Sequence, residues 1–286
     1  MNYVYGQNYL KKVCVLLENG EYLEPMINPL KRLAQKGIFC EAMLSEEEFE
    51  AAEGCLYITD DVVVLEALLS QKLPVAAYLH EGNRGKDMSG AKYAFEEPED
   101  LEPIYFERVY RRYLGVPWDI LETERCYLRE TGVEDVEAFY EIYKEPEMTR
   151  YTEALYESKI SERAYVREYI EKVYSYFEFG IWTVILKETG EIIGRAGLNV
   201  REGYDMPELG YVIGRPWQKK GIATEICQAI LEYARVEHGM EKVMTIIHKE
   251  NRVSVRLAEK LGFRFREEIW LNNKEYLLLM FDNSEM

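Results

Sequence analysis

The chain has 286 residues, 48% of them hydrophobic and 13% aromatic, and a formal net charge of −17. That length suits two domains, the apolar content suffices for two cores, and nothing in the composition points to disorder. The acid surplus is spread along the whole chain and repels phosphate backbones, which argues against nucleic acid as a partner and mildly favours a cationic one such as an amine.

The cysteines (Cys14, Cys40, Cys55, Cys126, Cys227) are scattered, odd in number and without a CxxC pair. That speaks against a disulfide framework or a zinc site and for a reducing cytoplasm. Three histidines, His80, His238 and His248, leave little for histidine-based metal or triad chemistry. The N-terminus lacks a basic region followed by an apolar stretch, and no run of about 18 apolar residues occurs, so the protein reads as neither exported nor membrane-spanning.

In chain order, residues 12–18 form a short apolar run of strand type. Residues 26–36 read as a helix with Ile27, Leu30 and Ala34 on one face, stopped by Lys36-Gly37. A strand at 38–42 follows, and Ser45 with Glu48 has the spacing of a capping box for a helix to 53. Next come a strand at 55–59, a helix at 62–70, a strand at 74–79, a loop at 81–90, a strand at 92–95 and a helix at 100–113. This alternation predicts a parallel sheet in a small doubly wound domain. Gly115, Pro117 and Trp118 fall in a stretch without period, which places the boundary there and gives domains at 1–118 and 124–286.

The second half begins with a strand at 125–130. Thr131 and Glu134 have capping-box spacing for a helix to 144, with Val136, Phe139, Tyr140 and Tyr143 at helical intervals. Ser161 opens a helix striped by Val166, Ile170, Val173 and Phe177. Strands at 181–187, 192–200 and 208–213 follow, the first two joined at Thr189-Gly190. A helix at 221–237, a strand at 242–248, a helix at 252–260 and strands at 264–270 and 275–281 joined at Asn272-Asn273 complete an α+β domain with a mixed, mostly antiparallel sheet.

The most informative segment is ELGYVIGRPWQKKGIATEICQAILEYA, residues 208–234. A strand runs into a tight loop and then into an amphipathic helix with Ile222, Ile226, Ile230 and Tyr233 facing inward. Gly221 and Ala223 allow close approach of the backbone to a ligand. The first N–H groups of a helix lack internal partners and sit at its positive end, a site suited to a pyrophosphate. Lys219 and Lys220 add positive charge.

QKKGIA resembles the Q/R-x-x-G-x-G/A acyl-CoA loop of the GNAT acetyltransferase superfamily, and ENRVSVRLAEKLGFRF (residues 250–265) is similar to its second CoA motif, in the form carried by the RimJ/RimL-like branch. The resemblance covers residues 125–281. It implies an N-acetyltransferase that moves an acetyl group directly from acetyl-CoA to an amine of a small molecule or protein N-terminus, with no metal. The pantetheine arm would run beside Tyr211, Val212 and Ile213. Gln218, Lys219, Lys220, Gly221, Ile222, Ala223 and Thr224 would form the CoA loop. Asn251 would reach the pantetheine or simply cap its helix. Glu208 is the leading candidate for the base that deprotonates the amine, with Glu153 and Asp205 as alternatives, and the N–H of Val212 or Ile213 would polarise the carbonyl. Many members carry a tyrosine where this chain has Ala258. Ser254 takes the place of the acid proposed for this branch, or else only hydrogen-bonds the CoA sulfur. Glu145, Glu147, Tyr151, Glu153, Tyr156 and Glu157 would serve a cationic acceptor. A non-catalytic acetyl-CoA sensor is the alternative, and the exposed end of the second sheet offers a surface for a homodimer.

Residues 55–101 are similar to the later part of HAD-type phosphohydrolases, with Asp60 and Asp61 in the place of magnesium-binding acids or else capping the helix from Val62. The nucleophile motif DxDxT is missing: the chain reads LENGEY at 17–22. Phosphoryl transfer to the protein is thereby excluded, and the first domain is expected to be a catalytically silent, Rossmann-like or degenerate HAD-like fold.

Overall fold

The structure, a computed structural model, describes residues 5–47 and 50–282. It divides into two compact units, Met1–Trp118 and Asp119–Met286.

The first unit contains β1 (Lys12–Leu17), a 3-10 turn (Gly20–Met26), α1 (Ile27–Gln35), β2 (Phe39–Leu44), β3 (Cys55–Thr59), α2 (Val62–Ser70), β4 (Val75–Tyr78), β5 (Ala94–Phe95) and α3 (Pro103–Leu114). All five strands are parallel, in the order β2-β1-β3-β4-β5. The central strands are apolar throughout because helices cover both faces. Val13, Val15 and Leu17 pack with α1 and α3, whereas Cys14 and Leu16 pack with α2.

The inward face of α1 is Met26, Pro29 and Leu33, whereas Ile27 and Ala34 are exposed. The preceding 3-10 turn delivers Met26 into the core, and positions three and seven residues on follow it. The expected helix from Ser45 to 53 involves Glu48 and Phe49, which lie outside the described residues. Ser45 itself sits in a turn and donates its hydroxyl to Asp61 (2.7 Å). Asp60 accepts from the Glu18 N–H (2.8 Å) and pairs with His80 Nε2 (2.9 Å), and Asp61 caps α2 through the Val63 N–H (2.8 Å). The two acids thus tie strand ends together, and no cluster suited to a metal ion occurs among the described residues.

The second unit contains β6 (Asp119–Glu122), β7 (Cys126–Arg129), α4 (Val136–Ile142), α5 (Lys159–Tyr169), which passes through a π turn (Ile170–Tyr174) into the short α6 (Ser175–Phe177), β8 (Ile181–Leu186), β9 (Ile192–Asn199), β10 (Glu208–Ile213), α7 (Ile222–His238), β11 (Lys242–His248), α8 (Arg252–Lys260), β12 (Arg264–Leu271) and β13 (Lys274–Asp282). The sheet runs β12-β13-β11-β10-β9-β8-β7-β6. Every pairing is antiparallel except β10 with β11. One face packs on α7 and α8 through Trp182, Leu198, Leu209, Ile226, Ile230 and Val255.

Four local expectations are corrected. Residues 119–122, read as linker, pair with β7 as the edge strand β6. The cap before α4 is Asp135, whose Oδ2 accepts the Gly132 N–H (2.8 Å), while Thr131 is buried against Thr183 (3.0 Å). α5 opens at Ser158, whose Oγ accepts the N–H groups of Ile160 and Ser161. The π turn adds a residue to the cycle, so Tyr174 rather than Val173 is fully buried beyond Val166. No helix among the described residues is long and apolar enough to cross a membrane.

Candidate functional site: a parted pair of strands above a left-handed loop

β10 and β11 share one Cα pairing, Glu208 with Met244, and then diverge. Beyond that point the facing edges need other partners. Thr245 Oγ1 satisfies the Leu209 carbonyl (3.1 Å) and Gln218 Nε2 the Ile213 carbonyl (2.8 Å). On the opposite edge the Gly214 N–H donates to Ile193 (2.8 Å). Alternation along a strand therefore turns the backbone of Val212 toward β9 and leaves Tyr211 and the Ile213 N–H facing the opening. This removes Val212 as a source of a free N–H and retains Ile213.

The strand leads into the loop 214–221. Gly214 has no room for a side chain, since a Cβ would lie 2.9 Å from Trp217 Cζ3. Lys219 (φ 60°) and Gly221 (φ 82°) both take the left-handed conformation. This curl turns the chain so that the first N–H groups of α7, those of Ile222, Ala223 and Thr224, emerge without intrahelical partners. The Ile222 side chain is buried in the core, so only its backbone is available, while Lys219 and Lys220 are exposed.

A residue not singled out in the sequence holds this loop. Arg125 donates from Nη1 to the Lys220 carbonyl (2.8 Å), from Nε to Glu225 Oε2 (2.6 Å) and from its own N–H to Glu225 Oε1 (2.9 Å). Burial pushes the Glu225 carboxyl up, but hydrogen bonds from Thr123 and Arg125 outweigh it and hold it below its ordinary value.

Between the parted strands lies a cleft of about 780 Å³ that gathers Glu153, Glu208, Tyr211, Asn251, Ser254 and Ala258. Glu208 accepts from Arg201 Nη1 at 2.8 Å through Oε2. Asn251 caps α8, its Oδ1 accepting the Ser254 N–H (3.2 Å). Tyr211 donates its hydroxyl to Ser254 Oγ (3.0 Å), and burial pushes this phenol up to about 12, so it remains a donor. With Oγ accepting from Tyr211, the serine's own proton is directed elsewhere. Asp205 is exposed and does not line the cleft.

The acceptor side also departs from expectation. Tyr151, Glu153 and Tyr156 line the cleft, but Glu157 does not, and Glu145 and Glu147 pair with Arg215 outside it. His248, passed over in the sequence, lies at the cleft between the rings of Tyr151 and Tyr276.

Residues 125–264 match the family model described as "Acetyltransferase (GNAT) domain". Among similar proteins, the N-acetyltransferase p20 of Bacillus licheniformis is 27% identical over 147 residues, 51% of this chain and 83% of that protein. The protein YkkB of Bacillus subtilis is 30% identical over 127 residues, 42% of this chain and 72% of that one. The [ribosomal protein uS5]-alanine N-acetyltransferase of Escherichia coli is 33% identical over 107 residues, 37% of this chain and 52% of its own length. Among solved structures, a GNAT-family acetyltransferase from Bacillus anthracis superposes with a TM-score of 0.50 at 22% identity, covering 57% of this chain and 98% of that one. The ribosomal L7/L12 N-acetyltransferase RimL in complex with coenzyme A does so at 0.50 and 15%, covering 58% and 98%. Through its second unit, the chain therefore belongs to the GNAT acetyltransferase family and is an acyltransferase.

Proposed function

We propose that the second unit, residues 124–286, transfers an acetyl group from acetyl-CoA directly to an amine, either of a small molecule or of a protein N-terminus. The observation that carries this reading is the parting of β10 and β11 above the left-handed curl at Lys219 and Gly221. The open edge at Tyr211 can pair with an amide of a pantetheine arm, which leaves the Ile213 N–H for the thioester, and the N–H groups of Ile222, Ala223 and Thr224 meet a pyrophosphate. Gln218 acts on the strand end, and Asn251 retains its side-chain amide for the cleft while capping α8. RimL binds coenzyme A and the Escherichia coli relative acetylates an alanine of a ribosomal protein, which supports the donor and the chemistry.

An alkylamine is mostly protonated at neutral pH and must lose a proton before it attacks. Glu208, with Oε1 free of other partners among the described residues, accepts that proton directly or through water. The Ile213 N–H polarises the thioester carbonyl. Collapse of the tetrahedral intermediate breaks the carbon–sulfur bond and, with loss of the nitrogen's second proton to water, forms the amide; the Ser254 hydroxyl, oriented by Tyr211, passes a proton to the thiolate and regains one from water.

The first unit, residues 1–118, is proposed to be a Rossmann-like, non-catalytic domain. Its parallel sheet covered on both faces supports this, as do the saturated hydrogen bonds of Asp60 and Asp61.

The test is amine-dependent release of thiol from acetyl-CoA, with mass spectrometry of the acceptor. Acetylated acceptor that accumulates over many turnovers supports the enzyme. Binding of acetyl-CoA with no acetylated product from any amine, amino acid or peptide would leave a sensor instead.

A further inference from the structure

The acceptor side of the cleft contains an unneutralised cation. Opposed residues of β9 and β10 put Glu208 beside Asn199, Gly210 beside Gly197 and Val212 beside Arg195. All six share one face of the sheet, because directly opposed residues and every second residue point the same way. The middle of this row is open on the β10 side, where a methyl group on Gly210 would meet only Ile181 Cδ1, at 3.7 Å, and walled at Gly197 by the backbone of Gly180 and Ile181. A carboxylate thus stands at one end of a trough and a guanidinium at the other, four strand positions or about 13 Å of backbone apart.

Arg195 is not used by the mechanism above. Its guanidinium lies over the Phe139 ring (4.7 Å) and hydrogen-bonds the Tyr143 hydroxyl. Its Nε is buried without a hydrogen-bond partner, and it forms no ion pair among the described residues. Glu162, also in the cleft and close enough to act with Arg195 on Tyr143 and Tyr165, gives Oε2 to the Tyr156 N–H (3.0 Å) and forms no ion pair with Arg195. Arg201, which follows β9, is already neutralised by Glu208. A half-buried cation without a counter-charge is costly unless a ligand supplies one. The rest of the lining agrees: in a chain of net charge −17, four cationic side chains against three carboxylates face the cleft.

We propose that Arg195 is the recognition site for an anionic group on the acceptor, and that the acceptor is an amine that also bears a carboxylate. This rests on the transferase reading. The amine lies toward Glu208 and the carboxylate toward Arg195, whose planar fork suits bidentate pairing. Polyamines and purely cationic amines are disfavoured, a reversal of what the net charge suggested. The carboxylate can belong to a free amino acid or to an acidic residue next to a peptide N-terminus.

The experiment compares free amino acids and short peptides with an acidic second residue against their neutral amides. Wild type is expected to favour the acids about ten- to hundredfold in kcat/KM, the range of a charge-assisted hydrogen bond pair. Whichever group, free amino acids or peptides, shows the preference identifies the source. Arg195→Met is expected to lose the preference and Arg195→Lys to keep part of it, with stabilisation by CoA confirming the fold of each variant. A second arm needs no turnover: with CoA present, N-acetylated acids and their amides are titrated onto wild type and Arg195→Met. Equal treatment of acid and amide by wild type, or a preference that survives Arg195→Met, overturns the proposal. Arg195-dependent binding of N-acetyl acids with no thiol release from any amine would uphold the anion site and sink the transferase reading. Turnover without discrimination would do the reverse.

Discussion

Replacing Gly221 by alanine isolates the conformation of the CoA loop from its packing. An added Cβ would meet only Arg125 Nη2, at 3.5 Å, which is ordinary contact, so no clash contributes. The cost comes from φ of +82°, which an L-residue adopts at a penalty of roughly 1–2 kcal/mol. Where that penalty appears depends on whether the loop is formed before ligand binds. Arg125 on the Lys220 carbonyl and Gln218 on the Ile213 carbonyl already hold it. The penalty should therefore fall mainly on folding, lowering the melting temperature of the second unit by about 2–8 °C, with acetyl-CoA affinity changed less than about threefold. Adding Arg125→Ala removes one of the two clamps, so the double variant should transfer the strain to binding and weaken acetyl-CoA by roughly five- to thirtyfold. Differential scanning fluorimetry and isothermal titration calorimetry on the two variants measure both quantities. Unchanged stability and unchanged affinity in Gly221→Ala would refute the reasoning, because the left-handed curl would then be dispensable.

Further outcomes follow from the site and the core. Glu208→Gln should lower kcat by about 10²–10⁴ with the KM for acetyl-CoA little altered, whereas Ser254→Ala should cost less with a donor whose leaving thiol is more acidic; rates with thioesters of graded leaving groups check this. Burial raises the Tyr211 phenol to about 12, so its neutral donor form persists at lower pH, and an alkaline limb of the rate profile well below that value should survive Tyr211→Phe. Burial also raises Cys126 and Cys55 to about 11 and Cys14 to about 12, and Cys227 higher still. Near pH 8 the thiolate fraction of Cys126 and Cys55 is then about 10⁻³ or less, so native protein should react with thiol reagents first at Cys40, which is half-buried, and at the others only on unfolding. Asp135 accepts two bonds from Arg129 (2.7 and 2.6 Å) and one from Thr183 (2.7 Å), all buried. Asp135→Ala should therefore destabilise the second unit by about 3–5 kcal/mol in urea titrations, and an apolar replacement of both partners by less.

The elements legible from sequence were those whose signals are local. The apolar run at 55–59, the helix from Val62 with Asp61 before it, and the helix from Arg252 with Asn251 before it appear as β3, α2 and α8. β6 escaped because a four-residue edge strand exists only through its pairing with β7, and the π turn after α5 because the stripe of apolar residues fits either period there. The site divides the same way. The loop 218–224 is contiguous and was readable, whereas Arg125 lies 100 residues from Glu225 and Tyr211 lies 43 from Ser254, contacts that only the folded sheet creates. The carboxylates at 145 and 147 misled because composition cannot tell a cleft-facing acid from one neutralised by Arg215.

Hydrogen exchange with and without acetyl-CoA tests the central claim most directly. The account predicts new protection at the N–H groups of Tyr211, Ile213, Ile222, Ala223 and Thr224, which have no partner among the described residues, and little change in the first unit. Saturating acetyl-CoA that leaves those amides unprotected, or protects the strand ends of the first unit instead, would contradict it.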